Sequence, residues 1–127
     1  MNREIKHFTD LEVWRRAHQL FLDLLNDIKE FPKNIVSQII IGQMIRSVGS
    51  ISANIAEGFN SRSTKQYINY LDISRRSTAE TENWYYKVRD ANYLSKNICL
   101  KRIKECIEIS KMLYGLMNSL DKGRGAR

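Results

Sequence analysis

The sequence predicts an all-α fold, an antiparallel up-down-up-down four-helix bundle. Three observations carry that expectation. Four long stretches repeat apolar residues at spacings of three and four, which marks one face of a helix. Three short breaks separate them, and connections that short make successive helices antiparallel neighbours. No alternating strand pattern and no long internal repeat competes. The 127 residues suit one domain. The bundle is expected over residues 1–120, with a disordered basic tail at 121–127.

The first helix is expected at about residues 10–30. Leu11, Trp14, His18, Phe21, Leu25 and Ile28 line one face. His18 therefore reads as a packed core histidine. Thr9 with Glu12 fits a capping box. Phe31-Pro32 ends the helix, because proline disfavours helical geometry in the residue before it.

The second helix is expected at about residues 37–60, with Ile41, Ile45, Val48, Ile55 and Phe59 as its apolar stripe. Gly42, Gly49, Ala53 and Ala56 form a second line. Glycine inside a helix costs about 1 kcal/mol against alanine, so this line suggests a neighbour that approaches closely.

The third helix is expected at about residues 64–91. Ser63 to Gln66 matches a capping box. Tyr67, Leu71, Ser74, Thr78, Thr81, Tyr85 and Val88 keep the rhythm, with a polar middle. The fourth is expected at about residues 95–120, with Ser95 as N-cap. Its stripe is Cys99, Ile103, Cys106, Ser110, Leu113, Met117 and Leu120. Cys99 and Cys106 would lie roughly 10 Å apart on that helix. That is too far for a disulfide, so they read as small core residues or a thiol site.

Composition narrows the function classes. The formal net charge is +7, which favours polyanionic partners. Residues 1–10 are polar, without an apolar h-region, so no targeting segment is expected. No stretch of about 18 uncharged apolar residues predicts a membrane span, so no membrane partner is expected and the cytoplasm is the expected compartment. His7 and His18 stand without zinc spacing, so no metal site is expected. No phosphate-cradling glycine loop and no nucleophile elbow occurs. No catalytic residue and no cofactor is expected.

Arg46, Asn54 and Glu57 share one side of the second helix, and Glu80 lies on the third between Ile73 and Trp84. A buried polar network is expected, joining Arg46 to Glu57 or Glu80 with Asn54 bridging. The rival readings are an acid/base pair and a ligand pocket.

The chain reads Phe8-Thr-Asp-Leu-Glu-Val-Trp14, then Ser52-Ala-Asn-Ile-Ala-Glu-Gly-Phe59, then Gln66-Tyr-Ile-Asn-Tyr-Leu71 and Glu80-Thr-Glu82. This pattern resembles the four helix bundle protein family, first noted as reading frames in intervening sequences of bacterial 23S ribosomal RNA genes. The likeness spans essentially the whole chain. It implies a non-enzymatic antiparallel bundle, often a homopentameric ring. A related group serves as accessory subunits of reverse transcriptases in diversity-generating retroelements, binding nucleic acid and the polymerase. The chain departs from the pattern at Arg75-Arg76, Thr78 and Thr81. Small or apolar residues belong there, so a looser contact of the third helix is expected.

Residues 95–127 carry eight Lys/Arg against three Asp/Glu, whereas residues 1–31 carry five against six. Antiparallel topology gathers three basic segments at one pole: Arg3 and Lys6, Arg62 and Lys65, and Lys122, Arg124 and Arg127. That is a sequence-independent phosphate-binding footprint, or ordinary solvated charge. Arg75 and Arg76, among Tyr67, Tyr70, Trp84, Tyr85 and Tyr86, form a second candidate surface where bases could stack, unless those rings are core. The resemblance turns these readings toward a homo-oligomer that binds nucleic acid, RNA rather than DNA. The alternatives are a scaffold that docks a protein such as a reverse transcriptase, or a structural oligomer with no nucleic-acid role.

Overall fold

The computed structural model describes residues 4–125, with side chains to residue 123. Arg3 and Arg127 lie outside the described residues, and of Arg124 only the backbone is described. A 3-10 turn, Phe8–Asp10, leads into α1, Glu12–Asp27. A second such turn, Ile28–Glu30, precedes α2, Ile35–Phe59; α3 spans Thr64–Asp90 and α4 spans Lys96–Gly125. Among the described residues there is no strand. The helices form an all-α four-helix bundle consistent with up-down-up-down order. At 1.5 Å per residue, α1 is about 24 Å long and α4 about 45 Å, so α1 flanks only part of the bundle. α3 packs along both α2 and α4.

Side chains start each helix. His7 and Asp10 form the capping pair of the first turn, in place of the expected Thr9–Glu12 pair: Thr9 N–H donates to His7 Nδ1 at 3.3 Å, and His7 N–H donates to Asp10 Oδ2 at 3.0 Å. Asn34 accepts from Ser37 N–H at 2.9 Å, which starts α2 before Ser37. Ser63 accepts from Gln66 N–H at 3.1 Å and Ser95 from Ile98 N–H at 3.2 Å. The α3–α4 turn passes through Asn92 at φ 63°, a left-handed geometry that asparagine tolerates. At its other end α4 continues as helix to Gly125, past the boundary expected at Leu120. Nothing between Asp121 and Arg124 breaks helical hydrogen bonding, since glycine only weakens it.

The core is built from Val13, Ala17, Leu20 and Leu24 of α1; Met44, Val48, Ile51 and Ile55 of α2; Leu71, Tyr85 and Val88 of α3; and Cys99, Ile103, Cys106, Ile109 and Leu113 of α4. Both thiols are free and buried, and burial pushes the Cys106 thiol upward from its ordinary pKa. The α1 stripe is therefore rotated from the expected one. Trp14, Phe21 and Ile28 are only half-buried, and His18 is exposed, stacked on Trp14 at 4.8 Å between ring centres. Helix α1 has a wide apolar face, with Val13, Ala17, Leu20 and Leu24 along one side of it and Trp14, Phe21 and Leu25 along the other. Periodicity alone favours its aromatic line, while small Ala17 and charged Asp27 obscure the inward one.

The polar middle of α3 does not loosen its contacts. Ser74, Thr78 and Thr81 are fully buried. Ser74 Oγ donates to the Ile51 carbonyl at 2.8 Å, Thr78 Oγ1 donates to the Ser74 carbonyl at 2.8 Å, and Thr81 Oγ1 lies 3.0 Å from Ser47 Oγ. Small hydroxyls with satisfied hydrogen bonds let two helices meet closely without an unpaired polar group. The glycine required by close packing is Gly58, outside the Gly42–Gly49 line. A Cβ there would lie 2.8 Å from Tyr70 Cβ and 2.9 Å from Tyr67 Cδ1. Gly42 meets nothing within 4 Å.

Candidate nucleic-acid interface

The order of the helices brings the N-terminal segment, the α2–α3 turn and the end of α4 to one pole. Lys6, Arg62, Lys65 and Lys122 are all exposed there. Lys6 pairs with Glu4 at 3.8 Å. Among the described residues, Arg62, Lys65 and Lys122 form no ion pair with a carboxylate. A cation without a carboxylate partner keeps its field for a ligand phosphate. The turn is rigidly braced: Ser61 Oγ donates to the Gly58 carbonyl at 2.6 Å, and Arg62 N–H donates to Gln66 Oε1 at 3.0 Å.

Arg75 and Arg76 sit about ten residues further along α3, away from this pole. Both lie beside Asp72, at 4.0 and 3.5 Å. The aromatic residues do not gather round them. Tyr85 is core, Tyr67 meets Phe59 edge-on at 6.2 Å, and Tyr86 lies under Arg89 at 5.0 Å. The ring that Arg75 does cover is Tyr114, at 5.5 Å, a residue not among those expected from the sequence. Tyr114 is exposed on α4 beside a line of Lys104, Lys111 and Lys122. Spacings of seven and eleven residues return to the same helical face. That signal is legible in the sequence, and it extends the basic surface from the pole along α4. Lys111 also pairs with Glu108 at 3.7 Å.

The expected Arg46 network is a smaller thing. Arg46 does pair with Glu80 and also reaches Gln43, but its side chain is 57% exposed. Asn54 donates to the Ser50 carbonyl and to Ser50 Oγ, both at 2.8 Å, and so does not bridge. Glu57 faces the cleft near the α2–α3 turn. Residue type locates the charges, but exposure along the outer α2–α3 groove is not readable from one helix at a time.

The buried ionic cluster is elsewhere, towards the opposite pole, and neither helix taken alone signals it. The Asp27 side chain is 1% exposed. It accepts from Arg102 Nε at 2.8 Å, from Arg102 Nη2 at 2.9 Å and from Tyr85 Oη at 2.8 Å. Asp23 adds a contact to Arg102 at 3.6 Å. The hydrogen bonds it donates to Asp27 hold the Arg102 guanidinium above its ordinary pKa despite burial. Burial, reinforced by Asp27, pushes the Tyr85 phenol well above its usual range. Among the described residues, no three His, Cys, Asp or Glu side chains are placed to hold a metal ion.

Residues 9–115 match the family described as 23S rRNA-intervening sequence protein. The chain belongs to that family. Among solved structures, it is similar to a protein of unknown function from the S23 ribosomal protein family of Bacteroides thetaiotaomicron. The two share 25% identity at a TM-score of 0.76, over 83% of this chain and 97% of that one. No curated protein matches the chain. The family description links the chain to ribosomal RNA by name.

One further surface bears on assembly. By length and composition alone α2 could cross a membrane, a test that a bundle's core helix also passes. It nevertheless carries Arg46 and Glu57, and its inward face is packed in the core. Its first turns leave Ile35, Val36 and Ile39 between 53% and 67% exposed, and α1 leaves Leu22 and Leu25 exposed as well. These lie towards the pole opposite the basic one.

Proposed function

We propose that this chain is a non-enzymatic homo-oligomer that binds structured RNA, rather than DNA, mainly through phosphate contacts. The observation that carries the reading is the convergence of Arg62, Lys65 and Lys122, exposed and, among the described residues, without carboxylate partners, at one end of a member of an rRNA-linked family. Oligomerisation is supported by the apolar surface of Ile35, Val36 and Ile39, since solvated apolar patches mark interaction sites. The family resemblance favours five subunits, and a ring multiplies the phosphate-binding pole by its subunit number. The same apolar surface favours a second reading, a scaffold that docks a protein such as a reverse transcriptase.

The test is fluorescence anisotropy with a labelled RNA hairpin across a salt series, alongside light scattering. The expected result is a scattering mass that is a multiple of the chain mass, and affinity falling by about 0.7 to 0.9 log units per log unit of salt for each phosphate neutralised. Absence of binding at low salt defeats the RNA reading. A monomeric mass that binds RNA defeats the oligomer alone.

A further inference from the structure

The basic pole contains a cleft as well as a surface. It opens between the last turn of α2 and the first turns of α3, and its volume is about 690 Å³. That is within the range of roughly 300 to 1,000 Å³ typical of small-ligand sites. Glu57, Asn60, Arg62, Gln66, Asn69 and Tyr70 line it, with Ala56 and Ile73 supplying apolar area. The chemistry of this set is specific. The Tyr70 ring and the two apolar side chains offer a face for a flat ring. Three carboxamides and one carboxylate supply the donors and acceptors that read base edges. The Arg62 guanidinium belongs to the same lining and suits a phosphate.

Part of the cleft is already held in place. Gln66 Oε1 is engaged by the Arg62 backbone N–H at 3.0 Å, which leaves the Gln66 amide N–H groups to donate. Tyr70 packs so closely on Gly58 that a Cβ added there would lie 2.8 Å from Tyr70 Cβ. The groups that would meet a ligand are therefore preorganised, which lowers the ordering cost of binding.

We propose that this cleft takes one unpaired nucleobase of the bound RNA, of a kind that carries an exocyclic amino group. The Glu57 carboxylate accepts from that amino group, Gln66 donates to a ring nitrogen or carbonyl of the base, and Tyr70 lies against its face. Uracil has no amino group, and its one edge donor, N3–H, is flanked by two carbonyl oxygens that oppose the carboxylate. This inference rests on the RNA reading above and adds a base-reading site to a phosphate surface. Splayed, unstacked bases are the usual means by which proteins read RNA.

The experiment uses the full chain and three labelled RNAs of equal length, followed by anisotropy at about 0.1 M salt. They are a hairpin with an A/C-rich loop, the same hairpin with an all-U loop, and a fully paired duplex. The wild type is expected to bind the A/C loop most tightly. Tyr70→Leu, which keeps the Cβ packed on Gly58, is expected to weaken that complex about tenfold, the order of one base stack. Its duplex affinity should not change. Glu57→Gln, at the cleft surface, is expected to erase the preference for the A/C loop over the U loop. If all three RNAs bind equally and neither variant changes that, the cleft proposal is overturned while the phosphate reading stands. If none of the RNAs binds, both fail. Circular dichroism of each variant checks the fold, and Glu57→Gln decides the matter if Tyr70→Leu does not fold.

Discussion

The two ends of the bundle treat charge in opposite ways. Towards the end where α1 turns into α2, Asp27 is buried and saturated by Arg102 and Tyr85. At the end where α2 turns into α3, Arg62, Lys65 and Lys122 stand in solvent without carboxylate partners among the described residues. A buried charge must be matched within the chain, because the interior offers no water to compensate it. An exposed charge need not be matched, and its field reaches outward. The first end therefore contributes to the integrity of the fold. The second offers a partner what the fold does not use.

The sharpest way to break this contrast is Asp27→Ala. It strands the Arg102 guanidinium in a partly buried site and should cost about 3–5 kcal/mol in chemical denaturation. Next is Gly58→Ala at the basic end, where the added Cβ meets Tyr70 Cβ at 2.8 Å. Overpacking of this kind should cost about 1–3 kcal/mol. RNA affinity should fall with it, because the same packing positions the cleft.

The Asp27 end should also be sensitive to alkali. The folded Tyr85 phenol resists ionisation, whereas in the unfolded chain it titrates near pH 10. The unfolded state then binds fewer protons, so stability is complete below about pH 10 and falls above it, by roughly 1.4 kcal/mol per pH unit at most. Tyr85→Phe should remove that part of the decline in urea melts taken between about pH 9 and 11, the range that brackets the free phenol.

The smallest effects on stability are expected on the hydrated side. Arg46→Met breaks a largely exposed pair with Glu80 and should cost less than about 1 kcal/mol. Arg62→Ala with Lys65→Ala should leave stability within about 0.5 kcal/mol. It should instead make RNA binding less sensitive to salt, reducing the slope by about 0.7 to 0.9 for each phosphate that is no longer neutralised. A large loss of stability in that double variant would show that the pole serves the fold after all.

Particular residues show how much of this was legible in the sequence. Thr78 and Thr81 look like flaws in an apolar stripe, yet both are buried and hydrogen-bonded. Their partners are a carbonyl four residues back and, for Thr81, a hydroxyl on another helix. Arg46 and Glu80 are recognisable as a pair, but not as an exposed one. Asp27 and Arg102 lie 75 residues apart, and each on its own helix resembles ordinary surface charge. Gly58 is visible within Ala56-Glu57-Gly58-Phe59, but the backbone approach that requires it exists only once α3 is in place. Lys104, Lys111 and Lys122 share a face by spacing alone, and the charge totals of whole segments conceal that line.

The sequence by itself determined the number of helices, where they break, and that the basic segments fall at one end. Those properties depend on local hydrogen bonding, on caps such as Ser63 and Ser95, and on the direction of successive short connections. Tertiary structure alone decided which face of α1 turns inward, which charges are buried, and that a cleft opens beside Glu57 and Tyr70. These depend on what the other helices place opposite each residue, and one helix's periodicity carries no record of its neighbours.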